Sequence, residues 1–190
     1  MQAPAQFSRV FWFLSHTCPL VQTKADWGIT SDWWRGLRGE YWVIAQGILL
    51  FCFAILPNAQ PSFINVDSPL VPYASLGLTA GFGFGAMILL GRSLFDLGQN
   101  LTPLPHPRDD GHLVQTGIYR LVRHPLYSGV IFLAFTYASW QISWMHFLGA
   151  SALFIFFDAK ATKEEIWLTE KFPIYSNYRT SVKKLIPWIY

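Results

Sequence analysis

Two stretches of this chain carry the residues best able to do chemistry. The first is TGIYRLVRHPLYSG, Thr116 to Gly129, in which Arg123 and His124 stand directly before Pro125. Proline suits the first position of a helix, so the free N–H groups of that turn and the two basic side chains make a donor-rich end for a carboxylate or phosphate. Cations at a helix start oppose the macrodipole, an arrangement that makes sense where an anion is held between them. A positive flank before a helix-starting proline is the plainer account of the same residues. The second stretch is KATKEEIWLTEKF, beginning at Lys160. Three- and four-residue spacing puts Lys160, Glu164, Trp167, Leu168 and Lys171 on one helical face. A solvated helix with ordinary ion pairs is the plainer account here.

Brought together, the two stretches make a pocket with a cationic and an anionic end. A zwitterionic, partly hydrophilic ligand suits it, with a carboxylate at Arg123, His124 and the helix start, and an amine or ribose hydroxyls at Glu164 or Glu165. Other chemistries find little footing. The chain has no nucleophile elbow, P-loop or paired-histidine metal spacing, and His106, His112 and His124 are irregularly separated. GFGFG, Gly81 to Gly85, lacks the dinucleotide spacing and reads as helix packing. Cys18 and Cys52 support neither a disulfide framework nor a metal site.

The elements that must position these residues are membrane helices. Charged residues are 13% of the 190 and hydrophobic residues 52%, with nine Trp and eight Tyr. That charge content is about half the soluble norm of roughly 25%, and the aromatic excess suits headgroup-level anchoring. Arg9 interrupts the first apolar segment, so no signal peptide is expected. Spans are expected at 41–57 and 70–91, the second with Gly77, Gly81 and Gly85 on one face for another helix to pack on. Residues 125–157 carry no charge and are too long for one upright helix and too short for two crossings. A hairpin with its apex near Ser139 to Ser143 is expected, bringing 92–124 and 158–190 to the same side. Residues 1–40, with Trp27, Trp33, Trp34 and Leu37, read as an interfacial segment.

In this layout all 14 Lys and Arg fall on one face, the cytoplasmic one by the positive-inside rule, and both termini lie there. The expectation is an all-α integral membrane protein of one domain: a helical bundle with two spans, a C-terminal hairpin and a cytoplasmic pocket. The basic residues are thereby accounted for along a membrane edge, so a nucleic-acid partner is not expected.

At this point the two stretches resemble a known family. Gly117, Tyr119, Arg123, His124, Pro125, Tyr127 and Gly129 give G-x-Y-x-x-x-R-H-P-x-Y-x-G, and Glu164, Glu165, Leu168, Phe172, Tyr175 and Tyr178 give E-E-x-x-L-x-x-x-F-x-x-Y-x-x-Y. Together they are similar to the isoprenylcysteine carboxyl methyltransferases and their wider group, which includes phospholipid N-methyltransferases. The resemblance covers 101–187. It implies an integral membrane enzyme that binds S-adenosylmethionine in a cytoplasmic pocket and takes a lipophilic acceptor, prenylated or another lipid, from the bilayer. It also implies that His112, Leu113, Val114, Tyr119, His124, Pro125, Leu126 and Tyr127 line the cofactor, with Glu164 on the other side. Where the carboxyl methyltransferases carry an arginine one turn before that glutamate, this chain has Lys160, which keeps the charge and loses the bidentate fork.

Arg123, Lys160 and Glu165 are thus expected nearest the chemistry. Glu165, or a tyrosine hydroxyl, would take a proton where the acceptor is an amine or hydroxyl. Two other readings stay open: an NADPH-dependent reductase of the sterol-reductase type, which also carries Arg-His-Pro-x-Tyr, and a non-catalytic membrane protein packing through the glycine face. Ser128, Gly129 and the adjacent glutamates favour the methyltransferase.

Overall fold

The computed structural model describes residues 38–62, 68, 70–98, 101–102, 104–107 and 111–190. The interfacial segment expected before residue 38 lies outside them. Five α-helices are present among the described residues: α1 (Glu40–Ala54), α2 (Leu70–Leu97), α3 (Pro125–Gln141), α4 (Trp144–Lys171) and α5 (Tyr175–Ser181). A 3-10 turn spans Gly117–Arg120, and the described residues hold no strand, only a bridge between Val122 and Lys183.

Both expected upstream spans are helical, with shifted ends. α1 has 15 residues, about 22 Å at 1.5 Å per residue, and stops short of the expected Pro57 because the residue before a proline is pushed out of the α region. It is apolar but shorter than a hydrocarbon core of roughly 30 Å. α2 has 28 residues, and only 11% of its apolar window is buried in the protein. A core helix of a soluble domain would be mostly covered, so α2 is the one described helix whose length and composition fit a crossing. It also runs past Gly91 into what reads as loop, and this carries Asp96 to the motif.

The hairpin forms where expected. α3 starts with His124 as its N-cap and Pro125 in its first turn, and ends where Ile142 takes a left-handed conformation, φ 48°. Ser143 then caps α4, its hydroxyl accepting the His146 N–H. Two hydrogen bonds tie this apex to the chain after α1, Trp144 N–H to the Ala59 carbonyl and Ala59 N–H to Ser143 Oγ. α4 continues without a break through the charged stretch to Lys171, so the carboxylates ride on the hairpin's second leg.

The glycine face needs correction. α2 meets α3 along Ser75, Phe82, Ala86, Leu89 and Ser93: Ser75 Oγ donates to the Ser139 carbonyl, Phe82 stacks on Phe135, and Ala86, Leu89 and Ser93 are buried. This stripe is offset by about half a turn from Gly77 and Gly81, around which nothing lies within 4 Å; of the three, only Gly85 meets a neighbour, Phe132. The close approach is made from the other side, by Gly129 of α3. A Cβ there would sit 2.5 Å from Leu90 Cγ and 3.2 Å from the Leu90 backbone nitrogen. Gly129→Ala should therefore force α2 and α3 apart and lower stability by about 1–3 kcal/mol, whereas Gly77→Ala should be neutral. Thermal unfolding of both variants in detergent checks this, and equal melting temperatures would refute the packing.

Beneath the hairpin, Ile131, Ala134, Ala150, Leu153, Phe157 and Leu185 form one apolar cluster, and Leu89, Ile118, Tyr119 and Val122 a second under the motif. The second is locked by Asp96, whose Oδ2 accepts the Ile118 N–H at 2.7 Å. Gly117, at φ 61°, leaves room for that carboxylate, since a Cβ would lie 2.1 Å from it.

Candidate active site

The motif is held from behind by the chain's last residues. Arg123 N–H donates to the Lys183 carbonyl at 2.8 Å and His124 N–H to the Lys184 carbonyl at 3.1 Å. Ser128 Oγ donates to the carbonyls of His124 and Leu185. The Tyr178 hydroxyl donates to the Tyr119 carbonyl. These bonds leave the motif's other side facing a cavity.

That cavity, about 450 Å³, is walled by Val43 and Gln46 of α1, by the loops around Leu104–Pro107 and Gly111–Val114, by Tyr119 and Arg123–Tyr127, and by Phe157, Lys160, Glu164 and Leu168 of α4. Phe172, Tyr175 and Tyr178 complete it. Its size falls in the range of small-molecule and cofactor sites. The hairpin geometry explains the convergence: α3 begins and α4 leaves at the same end, so the His-Pro turn and the glutamates face one another.

Tyr127 joins the two sides. Its ring stacks on His124, centroids 5.4 Å apart and 3° from parallel, and on Phe157 at 5.2 Å. Its hydroxyl donates to Glu164 Oε2 at 2.7 Å. His124 Nδ1 lies 3.8 Å from the same oxygen. Lys160, 1% exposed, donates from Nζ to Gln46 Oε1 at 2.6 Å and sits 4.9 Å over the Tyr127 ring. Burial pushes the Lys160 ammonium below the usual lysine range, and the nearby Glu164 works against that.

Of the residues singled out from sequence, His112, Leu113, Val114, Tyr119, Arg123, His124, Pro125, Leu126, Tyr127, Lys160 and Glu164 all line the cavity. Glu165 does not, and here the expected proton acceptor needs correction. Its Oε1 accepts from Arg123 Nε at 2.8 Å and lies 3.2 Å from His124 Nε2, while Oε2 lies 3.3 Å from Arg179 Nε. Burial alone would raise its carboxyl, but hydrogen bonds and charge from His124, then Arg123, outweigh burial and hold it at about 2. A carboxylate so committed is a poor base. Arg123 is likewise engaged: besides Glu165, one terminal nitrogen donates to the carbonyls of Arg179 and Val182. Its part is to tie α4 and the C-terminal segment to the motif.

Reading the sequence missed Gln46, although a lone amide in an apolar helix is itself a signal. It also gave no role to the loop residue His106. Two buried polar atoms of the cavity wall, the Tyr175 hydroxyl and His106 Nδ1, have no hydrogen-bond partner among the described residues. Burial also pushes the Tyr175 hydroxyl well above the usual tyrosine range, so it stays a donor. Orphaned buried groups of this kind are uncommon, and on a cavity wall a bound molecule or water can supply the partner.

Comparison with known proteins agrees with this geometry. A search of curated proteins finds no match. The phospholipid methyltransferase family matches residues 77–174, just over half the chain, from the first third of α2 to the turn after α4. The match takes in the His-Pro turn, the hairpin and both glutamates, of which Glu164 lines the cavity; Val43, Gln46, Tyr175 and Tyr178 of the wall lie outside it. On that span the chain belongs to the phospholipid methyltransferase family, in the wider isoprenylcysteine and phospholipid group of membrane methyltransferases.

Proposed function

We propose that this chain transfers a methyl group from S-adenosylmethionine to a lipophilic acceptor held in the membrane. The observation that carries the reading is the single cavity onto which both motifs open, with Glu164 held on its wall by the Tyr127 hydroxyl and beside His124. When bound, S-adenosylmethionine supplies an electrophilic methyl group on a sulfonium, so the protein's work is alignment and exclusion of water. Glu164 and the orphaned Tyr175 hydroxyl and His106 nitrogen fit its amine and hydroxyl groups, the His124–Tyr127 turn its carboxylate, and the apolar wall of Leu113, Val114 and Leu168 its base. Lys160, nearest the hairpin, lies on the acceptor side. The acceptor enters from the bilayer beside α1. The basic residues support a multi-pass chain with α1, α2 and the hairpin in the membrane and the cavity at the cytoplasmic face.

Calorimetric titration of the detergent-solubilised protein with S-adenosylhomocysteine, and separately with NADPH, tests the reading. Binding of the first alone is expected. NADPH binding would move the assignment to the reductase, and no binding by a folded sample would favour a non-catalytic role. Tyr175→Phe sharpens the test. Removing a buried hydroxyl that has no partner should leave the empty protein as stable or more so, while S-adenosylhomocysteine affinity falls about three- to tenfold. An unchanged affinity would take Tyr175 out of the site.

A further inference from the structure

Beyond Glu40, α1 carries one strongly polar side chain, Gln46, in an otherwise apolar run. A polar group inside such a helix turns toward protein or a cavity rather than lipid. Gln46 Oε1 accepts from Lys160 Nζ at 2.6 Å, and both residues line the cavity. Among the described residues this is the ammonium's one hydrogen-bond partner, and it forms no salt bridge with a carboxylate. Glu164 stands one turn further along α4, about 6 Å by helical rise, and its Oε2 is held by Tyr127.

A buried ammonium bonded to a single neutral acceptor has two unused N–H donors. Burial works against its charge, the Glu164 carboxylate one turn away works for it, and a bound anion would add to that support. An amide oxygen can steer that charge without cancelling it, whereas a glutamate in its place would neutralise it. Along α4, Lys160 lies between Phe157 of the hairpin leg and Glu164 nearer the loops, so the ammonium sits toward the part of the cavity next to the membrane helices.

We infer that Gln46 is a positioning residue for the acceptor: it fixes the Lys160 ammonium against α1, where an anionic group of a lipophilic acceptor, carboxylate or phosphate, is received. The inference rests on the methyltransferase reading for the word acceptor, but the pairing itself can be read without methyl transfer.

The test is equilibrium binding of two single-chain lipids, myristate and tetradecyl phosphate, to the full chain in dodecyl maltoside, a non-ionic detergent. S-adenosylhomocysteine is titrated in parallel. Gln46→Leu should weaken the tighter of the two lipids about tenfold, and Gln46→Glu at least as much, because its carboxylate occupies the ammonium. Lys160→Met should lose a similar factor, and adding Gln46→Leu to it should change nothing more, since the amide acts through the lysine. Affinity for S-adenosylhomocysteine should fall less than lipid affinity in the Gln46 variants, because Glu164 and Tyr127 keep their own bond. Which lipid binds more tightly distinguishes phosphate from carboxylate. Gln46→Asn, one methylene too short to reach, replaces the leucine variant if that one does not fold. Three outcomes overturn the inference: neither lipid binding the wild type, Gln46→Glu binding as wild type, or additive losses in the double variant. Failure of S-adenosylhomocysteine to bind, with the lipid pattern intact, would count against the methyltransferase reading and leave the Gln46–Lys160 subsite standing.

Discussion

Replacing Glu165 with alanine is expected to destabilise the chain by about 3–5 kcal/mol, the scale seen when one member of a buried ion pair is removed. The side chains of Arg123 and Glu165 are 8% and 2% exposed, so neither can turn to water. Without Glu165 the Arg123 guanidinium keeps its bonds to the Arg179 and Val182 carbonyls, but no negative charge answers it. Arg179, 57% exposed, loses little. Because Arg123 and His124 also bind the Lys183 and Lys184 carbonyls, the damage spreads to the C-terminal segment that backs the motif. Thermal unfolding in detergent should show a melting temperature lower by roughly 10 °C. A variant melting within a degree or two of wild type would mean that the cluster does not hold the fold.

The same cluster fixes the sign of an acid response. Folding moves the Glu165 carboxyl from an ordinary 4.5 down to about 2. Its stabilisation is therefore complete above pH 4.5 and drains away as pH falls toward 2. The wild-type melting temperature should drop through that window, and Glu165→Gln should lack this part of the drop.

Much of this site is legible in the sequence because the hairpin is. An uncharged run of that length between two polar stretches has few ways to fold, and doubling back places Pro125 beside the charged face of α4. Helical spacing then puts Lys160 and Glu164 on the cavity wall. The adjacent glutamates illustrate the limit. Positions 164 and 165 lie about 100° apart on a helix, so one faces the cavity and the other the Arg123 side, but sequence does not fix the rotation of α4. Gly77 and Gly81 were misleading for the same reason: small residues at four-residue spacing mark a face, and the rotation of α2 turned another stripe toward α3. Gln46 lies 114 positions from Lys160, a separation that no local pattern bridges.

Glu164→Gln is the substitution expected to weaken cofactor binding most with least harm to the fold. Glutamine retains a carbonyl oxygen to accept the Tyr127 hydroxyl, now made to Glu164 Oε2 at 2.7 Å. The side chain is 23% exposed, so its amide is solvated and the stability change should stay below about 1 kcal/mol. What disappears is the negative charge beside the His124–Tyr127 turn. Hydrogen bonds to a charged group contribute about 1.5–3 kcal/mol, which corresponds to a roughly ten- to hundredfold loss of S-adenosylhomocysteine affinity. Glu164→Ala should lose at least as much and also loosen Tyr127, which then has no acceptor for its hydroxyl. If the glutamine variant bound as wild type while the alanine variant failed, Glu164 would matter only as the anchor of Tyr127. The two glutamates thus separate by experiment as they do in space: Glu165 should register in melting temperature and Glu164 in ligand affinity, and a reversal would mean that α4 is rotated by one residue from the arrangement described.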